Sequence, residues 1–273
     1  MNTLRLENPF CAETEPYARL TEAQLKAPGE GGGLFIAESL NVIEAALQAG
    51  YELCSVLTEE KRLLTIEERI GASIGASPVY TAAPEELEKL TGFRLSRGVL
   101  AAMKRRPLPS PEEVLSGASR IAVLEGVTDP ENVGSIFRSA AALGMDALLV
   151  SSNCCDPLHR RAARVSMGGV FRIPWAVLPC LETDRGRADI ERVRGLGFKT
   201  AAMALTGDPM GIDDKRLRVE KRVALVLGAE GSGLKSATIE ACDMTVLIPM
   251  SNGVDSLNVG AAAAVAFWEL RKA

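Results

Sequence analysis

Residues 248–260, IPMSNGVDSLNVG, join an apolar run to an alanine-rich segment through a short polar stretch. The run that leads into it, DMTVLIPM, predicts a buried strand, and the segment that follows, VGAAAAVAFWEL, predicts a buried helix. In an open parallel sheet, ligands bind outside the carboxyl ends of the strands. This polar stretch therefore becomes a candidate site if loops of the same kind follow neighbouring strands.

Short apolar runs alternate with predicted helices through the second half of the chain. The runs are IAVLEG, ALLVSS, FRIPWAV, KTAAMAL, RVALVLG and MTVLIPM. This alternation predicts an α/β fold whose parallel sheet is covered on both faces. The first hundred residues predict a smaller α/β unit, with strands at 53–58, 78–82 and 99–104 and helices at 38–50 and 84–92.

The stretch between these halves, KRRPLPSPEEVLSGASR, contains three prolines and three serines, a composition typical of linkers. We therefore predict a first domain at 1–106, a linker at 107–119 and a second domain at 120–273.

The composition is that of an ordinary globular protein, with 273 residues of which 47% are hydrophobic and a net charge of -4. No apolar run approaches the length of about 18 residues that a membrane span needs. The first twenty residues contain no apolar signal region, so we expect a cytoplasmic protein. Six cysteines without a C-x-x-C pair and a single histidine, His159, predict no metal site.

Basic residues are grouped in three places despite the negative total. The groups are Lys104, Arg105 and Arg106; Arg160, Arg161 and Arg164; and Lys215, Arg216, Arg218, Lys221 and Arg222. A single basic group is most often a solvated face, whereas several together are compatible with nucleic-acid binding.

Two further polar loops follow predicted strands. In VLEGVTDPENVGSIFRSAAALG, residues 123–144, a helix is expected to begin near Asn132 and to carry Arg138 among small residues. Arg138 is then either an edge salt-bridge partner or a group that faces an anion. In LVLGAEGSGLK, residues 225–235, three glycines permit close backbone approach to a ligand. The carboxylate of Glu230 in that loop favours a neutral or cationic ligand over a phosphate.

Together the three loops resemble the ordered motifs of the SpoU (TrmH-like) branch of the knotted SPOUT methyltransferases. The matching residues are Pro130, Asn132, Gly134, Ile136 and Arg138; Leu227, Gly228, Glu230, Gly233 and Leu234; and Ile248, Pro249, Met250, Ser256, Leu257, Asn258 and Val259. The N-terminal stretch LFIAESLNVIEAALQAG also resembles the small ribosomal-protein-like RNA-binding domain that is common in this family.

The resemblance implies a C-terminal domain with a deep trefoil knot, a homodimer formed through the knot region, and S-adenosylmethionine as cofactor. It implies methyl transfer to a ribose 2′-hydroxyl of structured RNA, with ribosomal RNA favoured over transfer RNA. The implied catalytic residues are Arg138, Asn132, Glu230, Ser256 and Asn258. The implied cofactor-binding residues are Leu227, Gly228, Ile248, Met250 and Leu257. We expect RNA contacts from Arg160, Arg161 and Arg164.

The family assigns proton removal to the arginine that matches Arg138. An arginine, with a pKa above about 12, is a poor base in isolation. We therefore expect Arg138 to hold an RNA phosphate and to stabilise the developing alkoxide, and the identity of the base stays open. Two alternatives also stay open, namely a non-catalytic RNA-binding protein on the same fold and a nucleotide-dependent enzyme that uses the loop GAEGSGLK.

Overall fold

The protein forms two compact units. The computed structural model describes residues 1–18, 21–26, 33–95, 97–179, 186–206 and 208–271. Unit 1 comprises Met1–Pro107 and Leu158–Phe171, and unit 2 comprises Leu108–Pro157 and Arg172–Ala273. The segment Leu158–Phe171 was predicted to lie in the second domain, whereas it groups with unit 1.

Each unit is built on one sheet. In unit 1 the strand order is β1-β4-β3-β5-β2. Strand β5 runs antiparallel to β2 and β3, and the other pairs are parallel. The strands are β1 (Asn2–Arg5), β2 (Leu34–Glu38), β3 (Leu53–Thr58), β4 (Pro78–Thr81) and β5 (Val99–Lys104).

Unit 2 contains a parallel sheet with the order β10-β12-β9-β11-β6-β7-β8. Its strands are β6 (Arg120–Glu125), β7 (Ala147–Ser151), β8 (Trp175–Leu178), β9 (Lys199–Met203), β10 (Met210–Gly211), β11 (Val223–Gly228) and β12 (Met244–Leu247). The six apolar runs of the second half all form strands, which confirms the predicted parallel α/β sheet. The central strand β6 is buried along its whole length, as expected for a parallel strand covered on both faces.

The helices connect these strands and cover the sheets. In chain order they are α1 (Glu15–Ala18), α2 (Glu22–Lys26), α3 (Leu40–Gln48), α4 (Leu63–Ile74), α5 (Pro84–Thr91), α6 (Pro111–Leu115), α7 (Pro130–Ala142), α8 (Arg160–Val165), α9 (Gly186–Gly195), α10 (Lys215–Val219), α11 (Ser236–Ala241) and α12 (Val259–Leu270). Within unit 2, α12 packs against α7. Gly260 permits this close approach, because a Cβ there would lie 3.1 Å from the Cβ of Ser135.

The segment 107–119 was predicted to be a linker, and the structure contradicts this. It contains α6, whose Val114 and Leu115 are buried in the core of unit 2. Ser110 caps the helix: its Oγ accepts a hydrogen bond from the backbone N–H of Glu113 at 3.3 Å, and the Glu113 carboxylate accepts one from the Ser110 N–H at 2.7 Å. The sequence Ser-Pro-Glu-Glu is therefore a capping box with proline at the first helical position.

The described cysteines are partly buried free thiols. The five cysteines that the structure describes are free, and Cys180 lies outside the described residues. Burial raises the pKa of Cys242 to about 11 and raises the pKa of Cys154 as well, so both thiols are expected to stay protonated and unreactive near neutral pH. Among the helices of the described ranges, none is long and apolar enough to cross a bilayer.

A buried arginine connects distant parts of unit 2. Arg120 is 8% exposed, and its guanidinium donates hydrogen bonds to backbone carbonyls instead of carboxylates. The longest-range one joins Arg120 Nε to the carbonyl of Leu270 at 3.0 Å, at the end of α12. The others reach the carbonyls of Ser119, Arg218, Glu220 and Lys221.

We expect Arg120→Met to lower the free energy of unfolding by about 3–5 kcal/mol, because several buried carbonyls lose their donor at once. Urea denaturation followed by circular dichroism measures the change. Arg216→Met is the control, since Arg216 is exposed and forms an ion pair with Asp214, and a surface pair contributes about 0–1 kcal/mol. Equal stability of the two variants would contradict a structural role for Arg120.

Candidate functional site

The carboxyl ends of the central strands of unit 2 surround one cavity. Strands β12, β9, β11 and β6 are neighbours in the sheet and run parallel, so the loops that follow them meet at one edge. The cavity has a volume of about 540 Å³, a size typical of small-molecule sites. It is lined by residues 203–206 at the end of β9, 227–234 around the end of β11, 246–248 and 250 at the end of β12, and 255–259 at the start of α12.

The glycine loop after β11 forms a tight turn at the cavity wall. Gly233 N–H donates to the carbonyl of Ala229 at 3.0 Å, and Gly231 and Gly233 both have positive φ angles of 81° and 66°. A Cβ on Gly228 would lie 2.4 Å from the carbonyl carbon of Gly233. Only glycine therefore fits at the end of β11 while the loop keeps this conformation.

A buried carboxylate lies behind the glycine loop. Glu125 ends β6, is 3% exposed, and pairs in register with Gly228. Its Oε1 accepts a hydrogen bond from the backbone N–H of Lys235 at 3.4 Å. Burial raises the pKa of the Glu125 carboxyl above its usual value. The end of the loop is thus attached to β6, the strand that precedes the first motif.

Asn258 connects all three motifs. Its Oδ1 accepts hydrogen bonds from the N–H groups of Gly260 at 2.9 Å and Ala261 at 3.2 Å, so it caps the start of α12. Its Nδ2 donates to Asn132 Oδ1 at 2.8 Å and to the carboxylate of Glu230. One side chain therefore fixes the start of α12, the start of α7 and the glycine loop relative to one another.

The turn between β12 and α12 has the conformation that its sequence predicts. Strand β12 ends at Leu247, shortly before Pro249. Asn252 and Gly253 adopt positive φ angles of 58° and 72°, and the N–H of Val254 donates to the carbonyl of Ser251 at 3.2 Å. The residues 251–258 are exposed, so their polar side chains are available to a ligand.

The structure brings most of the sequence-predicted site residues together. The residues that line the cavity are Leu227, Gly228, Glu230, Ile248, Met250, Ser256, Leu257 and Asn258. Asn132 is buried and joins this group through its bond to Asn258. Arg138 is different, because it lies exposed on α7 and is not part of the cavity lining.

The three arginines expected to contact RNA lie on α8, in unit 1. Arg164 Nη1 lies 3.1 Å from the buried carboxylate of Glu38, and Arg160 Nε lies 3.9 Å from its other oxygen. Arg161 is exposed. His159 is half-buried and caps α8 by accepting a hydrogen bond from the N–H of Arg161 at 3.1 Å.

Sequence reasoning missed two parts of the cavity wall. Residues 203–206 follow β9, and the rule that ligands bind beyond strand carboxyl ends applies equally to that strand. Asp255 also lines the cavity. Its position in the third motif was visible, but nothing in its spacing distinguished it from a solvent-facing turn residue.

The charge of the lining limits the chemistry of the ligand. Glu230 and Asp255 contribute carboxylates, and among the lining residues that the structure describes there is no lysine, arginine or histidine. The remainder is apolar side chains, small polar groups and backbone. Such a lining suits a ligand with positive charge and disfavours a nucleoside triphosphate, whose phosphates need cationic or N–H donors without nearby carboxylates.

Comparison with known proteins agrees with the motifs. The SpoU rRNA Methylase family matches residues 119–268. A Mycobacterium bovis protein named as an uncharacterized tRNA/rRNA methyltransferase is 41% identical over 240 residues, which cover 88% of this chain and 81% of its own. The 23S rRNA (guanosine-2'-O-)-methyltransferase RlmB of Acinetobacter baylyi is 31% identical over 219 residues, covering 77% of this chain and 82% of that protein.

One solved structure has a similar fold over most of this chain. The SpoU methyltransferase AviRb from Streptomyces viridochromogenes, crystallised with its cofactor AdoMet, has a TM-score of 0.73 and 26% identity, covering 87% of this chain and 89% of AviRb. The family match spans more than half of the chain, and its residues include all three motifs, of which the second and third line the cavity. The resemblance drawn from those motifs is thereby confirmed: this chain belongs to the SpoU rRNA methylase family, a family of methyltransferases.

Proposed function

We propose that this protein transfers a methyl group from S-adenosylmethionine to a ribose 2′-hydroxyl of structured RNA, with ribosomal RNA as the substrate. The observation that carries this proposal is the cavity lined by the second and third motifs, with two carboxylates and no basic side chain in its described lining. Asn132 of the first motif is joined to this lining through its hydrogen bond with Asn258. The name of the Acinetobacter baylyi relative supports ribosomal RNA. The name of the Mycobacterium bovis relative keeps transfer RNA as the second candidate.

The residues of the cavity fit the proposed cofactor. Its volume of about 540 Å³ and apolar lining suit an adenosine-sized group, and the carboxylates suit a cation. Leu227, Gly228, Ile248, Met250 and Leu257 would hold the cofactor through backbone groups and apolar contact. S-adenosylmethionine supplies a methyl group that its positive sulfonium already activates, so the protein needs chiefly to align it with the acceptor.

The polar residues divide the remaining tasks. Asn132, Glu230 and Asn258 form one hydrogen-bonded group that keeps the loops in position, and Ser256 lines the same cavity. We assign to Arg138 the binding of an RNA phosphate and the stabilisation of negative charge that develops on the 2′-oxygen. Its exposure on α7 leaves the guanidinium accessible to RNA.

We also propose a homodimer and the deep trefoil knot of the family. Val265 and Trp268 of α12 are 40% and 52% exposed, which is unusual for apolar residues of an otherwise buried helix and suits a subunit interface. Since Arg138 does not line the cavity of its own chain, a dimer through this region offers it a cavity in the partner. The knot is supported by the crowding of residues 228–234 and 255–259 around one cavity.

The test has two parts. Calorimetry with the purified protein is expected to show S-adenosylmethionine binding, and mapping of 2′-O-methylation in RNA from cells that lack the protein is expected to show one ribosomal RNA position losing its methyl group. A lost position in transfer RNA would replace the substrate. Cofactor binding without any lost methylation would contradict the proposed reaction, and absence of cofactor binding would favour a non-catalytic RNA-binding protein.

A further inference from the structure

Unit 1 contains a loop that carries two exposed arginines. Residues 92–98, GFRLSRG, carry two arginines and no acidic residue. The N–H of Gly98 donates to the carbonyl of Leu95 at 2.9 Å, which closes a turn and keeps Arg94 and Arg97 within about 11 Å of each other along the chain. Both side chains are exposed. Neither has a hydrogen-bond or ion-pair partner among the residues that the structure describes.

A third arginine lies against the same loop. Arg62 is exposed, and its side chain covers Gly98, where a Cβ would lie 2.8 Å from Arg62 Nε. Thr58 Oγ1 donates a hydrogen bond to the carbonyl of Gly98 at 2.7 Å, so the end of β3 is attached to this loop. Within the described part of unit 1, Arg62 also lacks a carboxylate partner.

One arginine of α8 contacts this loop, and a second pairs with the same buried carboxylate as the first. The guanidinium of Arg160 lies 4.0 Å from the centre of the Phe93 ring, next to Arg94. Arg160 and Arg164 both face Glu38, which is 1% exposed at the end of β2. A buried carboxylate needs such compensation, so the charge of these two arginines is largely engaged within the unit.

Among the residues that the structure describes, no carboxylate forms an ion pair with Arg62, Arg94 or Arg97, although the exposed Glu60 lies two residues before Arg62 in the chain. Glu38 is buried against α8, and Glu59 forms an ion pair with Lys61. Exposed charges of one sign on a protein surface are normally interspersed with the other sign, because like charges repel. Arginine binds phosphate in a bidentate manner through its planar guanidinium. Three guanidinium groups without a carboxylate partner in the described part of unit 1 therefore suit a chain of phosphates.

We infer that Arg62, Arg94 and Arg97 form a phosphate-binding surface for structured RNA. Arg160 and Arg164 keep α8 and the loop in place through Glu38 and Phe93. This inference rests on the proposed RNA methyl transfer and deepens it, because it moves the main RNA contacts of unit 1 from α8 to the loop 92–98 and the start of α4.

Salt-dependent RNA binding tests the inference. The probe is purified, deproteinised 23S ribosomal RNA, with filter binding measured from 50 to 200 mM KCl on the full chain. Each phosphate contact contributes about 0.7–0.9 to the slope of log K against log salt. The triple variant Arg62→Gln, Arg94→Gln, Arg97→Gln is expected to lose about 2–3 from that slope, and its affinity at 100 mM salt is expected to fall about 100-fold.

Two control proteins define the result. The triple Arg→Lys variant at the same positions retains the charges and is expected to retain most of the slope. Arg69→Gln, Arg187→Gln and Arg216→Gln remove three exposed arginines that have carboxylate partners, and this triple is expected to keep the wild-type slope within about one unit. Thermal unfolding of each variant shows that the fold is intact.

Wild-type slope and affinity in the first triple would overturn the inference, as would an equal loss in the paired-arginine control. Binding of the S-adenosylmethionine cofactor is measured separately by calorimetry on the same proteins. If the wild type binds no cofactor but loses RNA affinity through these arginines, the proposed reaction fails and the surface stands. If the wild type methylates RNA and the triple Arg→Gln variant at positions 62, 94 and 97 binds RNA as tightly as the wild type, the proposed phosphate-binding surface is wrong and the proposed reaction stands.

Discussion

Replacing Arg138 by alanine is expected to lower the rate of methyl transfer by at least about 100-fold, while the affinity for S-adenosylmethionine changes less than about twofold. The loss follows from removing a positive group that stabilises charge on the attacking oxygen and holds the RNA phosphate. The cofactor affinity is spared because Arg138 does not line the cavity of its own chain. Single-turnover rates with saturating RNA, together with calorimetry, measure the two quantities separately.

Two controls sharpen this prediction. Arg138→Lys keeps the charge but loses the planar fork, so a partial rate is expected. Glu131→Ala changes another exposed side chain of α7 and is expected to leave the rate unchanged. A rate for Arg138→Ala above about one tenth of wild type would contradict the assigned role, since loss of one such group costs about 10²–10³.

Mixed dimers test how Arg138 reaches the reaction. If it acts in the cavity of the partner, coexpressed Arg138→Ala and Gly228→Ala chains form heterodimers with one intact site. Activity should then exceed that of either variant alone. If the mixture is as inactive as its components, Arg138 acts within its own chain or the protein does not dimerise. Restored activity would support the dimer proposal, whereas an inactive mixture would contradict the action of Arg138 in the cavity of the partner.

The parallel sheet and most of the site could be predicted from sequence because both depend on local pattern. Each apolar run of unit 2 has the length of a strand and is too short for a buried helix. Parallel strands place the loops that follow them at one edge of the sheet. Residues around 228 and 250 therefore converge in the structure as expected. Asn258 shows the limit of this reasoning, since its capping bonds and its two side-chain partners depend on packing between α7 and α12.

The errors have separate physical causes. Proline and serine at 107–111 indicated a linker, but the same letters followed by two glutamates form a helix start whose apolar residues are buried. The sequence of residues 158–171 does not indicate which unit they belong to. Their grouping with unit 1 depends on tertiary contacts, such as the ion pair between Glu38 and Arg164. The exposure of Arg138 likewise depends on which face α7 turns toward α12.

A substitution in the glycine loop after β11 is expected to have an effect as large as that of Arg138→Ala. Gly228→Ala is expected to weaken S-adenosylmethionine binding by at least about 100-fold, which corresponds to about 2.7 kcal/mol. The added Cβ would lie 2.4 Å from the carbonyl carbon of Gly233 and 2.5 Å from the nitrogen of Leu234. Both are backbone atoms, so no rotamer change relieves the clash, and the whole turn has to move.

Movement of the turn reaches the cavity directly. Residues 228–234 line it, and Glu230 within the turn binds Asn258, so a displaced loop also loses its contact with the start of α12. Gly195→Ala is the matched control, since Gly195 lies in unit 2, has no positive φ and would have open space around its Cβ. Gly231→Ala separates the effect of a steric clash from the effect of backbone strain. Its φ of 81° costs about 1–2 kcal/mol for alanine, while no atom lies within 4 Å of the added Cβ. Calorimetry on the folded variants is then expected to show the largest loss of S-adenosylmethionine affinity for Gly228→Ala, a smaller loss for Gly231→Ala and the smallest for Gly195→Ala. An affinity of Gly228→Ala within threefold of wild type would show that the turn does not shape the cofactor site.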